Sequence, residues 1–495
     1  MPRIFKTNKM NRFITTCLGL GLLANLTAFA GGFVTNTNQN VAFLRNPAQD
    51  AAISVGAAYS NPAGVGFLDR RVHLSLNWQM AKQTREVTAN YAPLAFSQAN
   101  PSATRWYEGK SFAPVIPSFD VAWRFDEHFF ASAHLGIIGG GGIADFASSI
   151  GSIESQIAII PALLNKLAGA PVCFYNADLN IVGEQYVYAG QINIGYRVND
   201  HLSVSAGLRA NYVSNHYTAD IKSIKISGLE NFPQLQPSMQ QIGALLQDRE
   251  LNCSQTGWGW TPILSVDYKV GAFNFAARYE FNTKVQLTNK TGIGQDAGMP
   301  QYVDGLSDIA SDIPGLLTVG AQWAVIPAVR VSLGFHNFFD KQASFYNAAS
   351  GQNDRQDAIE HNTREYLLGV EYDVLKKLTL SVGGQLTRFG WGDDYGFIYD
   401  QSYNINSFSL GIGLNYRIND RISIDAAFFK TFYDRVDKQM ADYNRTGDST
   451  YTKLQSALGQ GAAYLGLTKE ALTIPGSDSL YRTNTVFGLG LNYSF

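Results

Sequence analysis

The sequence predicts an all-β protein, a transmembrane antiparallel β-barrel of about fourteen strands with an N-terminal luminal hatch. Three observations predict it. The N-terminus is of the export type and no later segment is long and apolar enough for a membrane helix. Apolar and polar residues alternate with period two from Val72 to Phe495. Short and long connections between these segments alternate strictly, as periplasmic turns and extracellular loops do.

Composition agrees with a barrel better than with several soluble domains. Charged residues make up 16% of the 495, below the roughly 25% of an ordinary soluble protein. The net charge of -2 excludes the strongly basic surface that a nucleic-acid partner requires.

The chain divides into three parts. Residues 1–30 read as a signal peptide: Arg3, Lys6, Lys9 and Arg12 precede an apolar run from Phe13, and Ala28-Phe29-Ala30 is an A-x-A cleavage site. Cys17 lies inside the apolar run, which speaks against a lipoprotein. Residues 31–70 lack strand alternation, are rich in Ala and Gly, and contain Asn46-Pro47-Ala48 and Asn61-Pro62-Ala63. Such a compact segment fits a lumen whose inward positions include Gly195, Gly207, Gly383, Gly411 and Gly413. Residues 71–495 form the barrel.

The hairpins follow in order. Around Asn199-Asp200, Tyr188, Ile192, Ile194 and Tyr196 alternate with Gln191, Asn193 and Gly195, and then Leu202, Val204 and Leu208 with Ser203, Ser205 and Arg209. Each strand has one apolar and one small or polar face. Equivalent units surround Gly271-Ala272 and Asn419-Asp420, with further turns at Asp126-Glu127, Pro327-Ala328 and Lys376-Lys377. The last strand carries Phe487, Leu489, Leu491, Tyr493 and Phe495 on one face. Long connections are expected near residues 91–111, 142–181, 222–255, 289–312, 340–362, 390–404 and 434–481. In two of them apolar residues recur at helical spacing: Ile153, Ile157, Ile160, Leu164 and Leu167, then Met239, Ile242, Leu245 and Leu246. These faces pack on each other or form a groove for an alkyl chain, and the two are not exclusive. Cys173 and Cys253, in the same two loops, are expected to form a disulfide, which an exported protein permits.

Catalytic readings find little support. His73 and Ser75 share the inward face of the first strand, away from lipid, and the remaining His residues form no metal-ligand spacing. No enzyme activity, metal or cofactor is expected. Inward Arg197, Arg209, Asp267, Arg278, Glu280, Glu371, Arg417 and Asp425 fit a luminal charge network that either anchors the hatch or binds a head group.

The start Gly31-Gly32-Phe33, the Asn61-Pro62-Ala63 block ahead of the first strand, and the strand count resemble the FadL-type outer-membrane transporters of long-chain fatty acids and hydrocarbons. The resemblance implies that Gly31, Gly32, Phe33, Asn61, Pro62 and Ala63 belong to a hatch. It also implies a kinked third strand, for which Gly136, Gly139, Gly140, Gly141 and Gly142 are the candidates; a flexible loop start is the other reading of that run. Capture would occur at the extracellular loops and release sideways into the membrane. The implied partners are a hydrophobic small-molecule ligand, outer-membrane lipid and the barrel-assembly machinery, with the protein a monomer in the outer membrane of a bacterium with two membranes. A porin for polar solutes and a structural or adhesive barrel acting through its loops are the competing functions.

Overall fold

The computed structural model describes residues 40–232, 248–293, 302–347, 350–392, 400, 404–458 and 468–495. The expected signal peptide, Gly31, Gly32, Phe33, Met239, Ile242, Leu245 and Leu246 lie outside the described residues.

The chain runs through β1 (Val72–Tyr91), β2 (Thr104–Arg124), β3 (Phe129–Phe146), β4 (Phe174–Arg197), β5 (Leu202–Ser227), β6 (Arg249–Val270) and β7 (Phe273–Glu280). Then come β8 (Gln286–Ile293), β9 (Ile309–Ala310), β10 (Leu316–Ile326), β11 (Val329–Phe338), β12 (Thr363–Leu375) and β13 (Leu378–Arg388). The series ends with β14 (Ser407–Arg417), β15 (Ile422–Tyr433), β16 (Val436–Met440) and β17 (Gly476–Ser494). Fourteen of these described strands make a closed antiparallel wall. The other three lie beside it: β8 pairs with the upper part of β6, β9 with β8, and β16 with β17. Closure is between β1 and β17, from His73 opposite Ser494 to Tyr91 opposite Gly476. At the terminus Phe495 and Val72 exchange backbone hydrogen bonds of 2.9 and 3.0 Å.

The wall is inside out. On β4, Ile192 and Ile194 are 66% and 71% exposed, whereas Gln191 and Asn193 are 1% and 2% exposed. An apolar exterior over a polar interior suits lipid outside, and closure between β1 and β17 leaves no free first or last strand where lipid offers no hydrogen bonds. Aromatic rings collect at both rims of this exterior. Trp123–Phe125 (4.8 Å) and Phe129–Tyr196 (5.0 Å) lie near the short turns, Tyr212–Trp258 (4.8 Å) and Tyr279–Phe281 (4.9 Å) toward the other end.

Strands continue well past the belt. β5 has 26 residues, against the ~9–11 that a spanning strand needs. Along it the phase reverses. Below, Ser203, Arg209 and Asn211 are buried inward and Val204 and Leu208 face out; above, Val213, Tyr217, Ala219 and Ile221 are buried inward while Ser214, Thr218 and Asp220 share the outward face. β1 reverses likewise, from inward Ser75, Asn77 and Gln79 to inward Val87, Ala89 and Tyr91. Once a strand leaves lipid its outer face meets water, and the apolar residues turn inward. The first expected connection is therefore shorter than the sequence suggests, spanning only the residues between Tyr91 and Thr104.

The apolar upper interior is filled by α1 (Gly151–Ala168), which ends at Gly169 in the left-handed conformation. Ile153, Ile157, Ile160 and Leu164 pack with Val87, Tyr91, Leu94, Tyr107 and Tyr175 in one buried cluster, with Leu167 at its margin. These residues are thus a core, not an open groove. The reason is that Ala158, Ile159 and Leu163 are buried as well, so the helix is enclosed nearly all round.

Cys173 and Cys253 are free thiols, which corrects the expected disulfide. Cys253 sits opposite Tyr217 of β5, while Cys173 immediately precedes Phe174, which sits opposite Ser227. About ten residues of β5, roughly 30 Å of strand, separate the two levels, far beyond the ~7 Å Cα spacing that a disulfide tolerates.

Candidate functional site

Residues 40–68 lie within the lower lumen, bonded to strands all round the wall. Asn40 opens a short helix at Val41–Arg45 by accepting from the Ala42 N–H (2.8 Å), and its amide donates to Asp120 of β2 (2.7 Å). Arg45 binds Glu371 of β12 (2.6 Å), Asp425 of β15 (3.0 Å) and Ser381 of β13. Asp50 binds His336 of β11 (3.0 Å), whose other ring nitrogen meets Glu365 of β12 (2.8 Å). On the opposite side, Tyr59 lies against Arg209 and Arg278, which share Glu280. Its carbonyl accepts from Arg278.

The Asn61-Pro62-Ala63 block docks on β6. Asn61 donates to Asp267, and the Ala63 N–H donates to Ser265 Oγ (3.0 Å). Pro62 starts a 3₁₀ turn to Phe67, a position where its missing N–H costs nothing. All three residues are buried. The other Asn-Pro-Ala block presses on bare backbone: a Cβ at Gly369 would run into the Asn46 side chain, and one at Gly383 would sit 2.7 Å from Pro47. Of the inward charges singled out in the sequence, Arg209, Asp267, Arg278, Glu280, Glu371 and Asp425 meet this segment directly or through one partner. Arg197 pairs with Asp200 in its own turn and meets the segment through the Phe67 ring.

Beside this segment the wall is interrupted. β2 and β3 pair from Arg124↔Phe130 to Ser118↔Gly136, and then only at Lys110↔Asp145. Both strands stay paired to their other neighbours over the gap, each with a register fault. Between Ile137 and Gly142, β3 has two more residues than the facing part of β4, and Gly140 and Gly142 take φ of 105° and 65°. A Cβ at Gly140 would strike the Gln185 carbonyl, so only glycine fits the bulge. β2 shifts register against β1 between Gln79 and Ala81, beside Pro114 and Val115. Prolines at 114 and 117 withhold N–H donors, as tolerated at a strand edge.

Gly139–Gly142 thus hold the two register shifts of β3 against β4. Gly136 lies below them, at the last pair under the opening. Exposed Phe112, Val115 and Leu135 flank the gap on the lipid side. Inside, Ile138 joins Val187, Ala189, Val213, Val285 and Leu287 in an apolar layer against which Tyr59 packs. Below the luminal segment is a cavity of about 590 Å³ with a polar lining that includes Arg45, Glu371, Arg417, Asp425 and Asn492.

Sequence reasoning singled out the glycine run and the Asn61-Pro62-Ala63 block, and it missed the β2 side of the opening. Its signal was the Pro114–Pro117 pair inside an otherwise regular strand. The anchors Asn40, Arg45 and Asp50 were missed too, because a short polar segment has no periodicity to read. Among the described residues, no three His, Cys, Asp or Glu side chains gather as a metal site would require.

No known family description and no curated protein matches the sequence. Solved structures do. A Pseudomonas aeruginosa FadL homologue superposes with a TM-score of 0.62 at 12% identity, covering 94% of this chain and 100% of its own. The Ralstonia pickettii toluene transporter TbuX gives 0.51 at 15% identity over 93% and 100%, and the P. putida toluene transporter TodX 0.51 at 14% over 89% and 94%. At these identities the likeness is one of fold: this chain has the barrel architecture of those proteins over most of its length.

Proposed function

We propose that the protein is a FadL-type outer-membrane channel for the uptake of hydrophobic molecules, long-chain fatty acids or hydrocarbons, exported by residues 1–30 and plugged by a hatch at residues 31–70. Ligand enters at the extracellular end, where the inner wall is apolar and α1 covers it, and leaves sideways between β2 and β3. The observation that carries this reading is the unpaired stretch between Lys110–Ser118 and Gly136–Asp145, in a wall otherwise held by ladders, beside a luminal segment bonded on every side. Burial from water stabilises an alkyl chain by about 0.8 kcal/mol per CH₂. The polar cavity below offers none of that, while the bilayer beyond Phe112 and Leu135 offers all of it. The bonded segment in the lumen also disfavours an open porin. The protein works as a monomer, with ligand and lipid as its partners once the assembly machinery has inserted it.

Deleting Gly140 and Gly141 together tests the route. Removal of two residues keeps the facing of every other side chain and lets β3 match β4. Radiolabelled oleate uptake by cells lacking the native protein is restored by the intact chain and not by the deletion variant. Uptake that persists in a folded deletion variant removes lateral exit. Fast sugar permeation in liposomes containing the intact chain favours the porin.

A further inference from the structure

At the lower lip of the opening, one buried hydrogen-bonding atom has no partner. His134 of β3 is 1% exposed, and its Nδ1 lies 2.7 Å from Asp120 Oδ1 of β2, across the sheet one step below the last Ser118↔Gly136 pair. A carboxylate at that distance makes Nδ1 the proton-bearing nitrogen. Asp120 is fixed in turn by the Asn40 amide (2.7 Å), and Asn77 reaches the same oxygen at 3.5 Å. The Tyr59 ring lies over the imidazole, with centroids 4.7 Å apart. The imidazole is therefore held by Asp120 and the Tyr59 ring, and its Nε2 is buried without a hydrogen-bond partner. In the neutral ring that atom is an acceptor, and leaving an acceptor buried and unused is costly.

The space before Nε2 is kept by a glycine. A Cβ at Gly136 would lie 3.0 Å from His134 Nε2 and 3.1 Å from the Ser118 Cβ. Any other residue there would occupy the approach to the ring from the gap. Gly136, which the sequence offered as a bend, thus has a different use.

We propose that His134 Nε2 is a recognition point for a ligand O–H, the hydroxyl of an alcohol or phenol or that of a protonated carboxylic acid. It accepts that hydrogen bond as the ligand's polar end passes the base of the β2–β3 opening. Nε2 is sealed in the resting conformation, so the bond forms only when a ligand parts the unpaired strands above Gly136. The site then prefers amphipathic ligands to plain hydrocarbons of the same chain length. This inference rests on the lateral route proposed above.

The test compares 1-dodecanol with n-dodecane as ligands of the purified full-length chain in detergent, with the ¹⁵N shift of the His134 Nε2 followed in parallel. The intact protein should bind dodecanol about fivefold more tightly, one ordinary hydrogen bond. Dodecanol and not dodecane should move the Nε2 resonance to the hydrogen-bonded range. His134→Phe and Gly136→Ala should each bring the two affinities level. Equal binding of both ligands by the intact chain, or a preference that survives in His134→Phe, overturns the inference and leaves the transport reading intact. Binding of neither ligand, together with absent oleate uptake, overturns both.

Discussion

Replacing Arg45 by Met tests whether the luminal segment is held as an independently stable unit. Its guanidinium bridges Glu371 and Asp425 at 2.6 and 3.0 Å, with all three side chains no more than 12% exposed. Removing one member of a buried ion pair leaves an uncompensated charge, a loss of about 3–5 kcal/mol. Here the lower end applies, because each carboxylate keeps other donors. Glu371 retains Arg330 at 3.3 Å; Asp425 retains Asn492 at 2.6 Å and Asn415 at 3.1 Å. A loss of about 3 kcal/mol corresponds to roughly a hundredfold greater population of the released segment. Hydrogen exchange read by mass spectrometry over residues 40–50 should accelerate by that factor, with β4 and β5 unchanged. Arg435→Met is the control, since Arg435 and Asp437 are 68% and 70% exposed and 3.7 Å apart, and an exposed pair contributes little. Unchanged exchange over residues 40–50 in Arg45→Met would refute the reasoning, as would equal acceleration in the wall.

Three further outcomes follow from the half of the barrel that α1 fills. Glu154 in α1 accepts from Tyr107 and Tyr175 (2.7 Å each) and pairs with Arg105 (3.2 Å), so Glu154→Ala should speed exchange across residues 151–168 by more than tenfold without lowering the melting temperature of the wall. Near the Gly476 end of β17, burial and the neighbouring Asp400 carboxylate push Asp478 up to about 8. A carboxyl raised above its unfolded value stabilises the fold fully below about pH 4 and loses that contribution as pH rises through about 8. Protease resistance of residues 434–481 should therefore fall between pH 5 and pH 9 in the intact chain and stay flat in Asp478→Asn. Burial, with Glu230 nearby, pushes the Cys173 thiol up to about 11. Maleimide should thus label it slowly in the native protein, and both Cys173 and Cys253 fully after denaturation without reductant; a pair that stays unlabelled would mean a disulfide after all.

The wall was legible in the sequence as far as lipid touches it. There the rule is a simple one, apolar out and polar in, and Ile192, Ile194, Val204 and Leu208 obey it. Above the belt the rule inverts, and a reading tuned to one phase ends its strands where the phase changes. Val213, Tyr217 and Ile221 of β5 are as regular as the residues below them, but they point the other way. The helical face from Ile153 to Leu164 was legible for the same reason as the strands, through periodicity. Its fate was not, because enclosure depends on Val87, Tyr107 and Tyr175 arriving from distant strands. The same limit applied to Cys173 and Cys253: shared loops place two thiols near each other in sequence logic, while strand register places them at different levels.

The opening between β2 and β3 is the product of two faults that meet. β3 carries its surplus against β4, and β2 shifts register against β1, so over the same stretch neither strand offers the other a matching partner. Because each keeps its ladder on the far side, the gap does not unravel the barrel. Either fault alone could be absorbed as an ordinary bulge. Together they leave backbone groups unladdered at the level where Leu135 and Phe112 face outward, and in a bilayer such groups are tolerated only where they line a protein-bounded or wet space. Gly140 and Gly142 on one side and Pro114 and Pro117 on the other make that arrangement specific, since ordinary residues at those four positions would favour a closed ladder. The gap is thus specified by residues of both strands, and it lies beside the luminal segment that the proposed lateral exit requires.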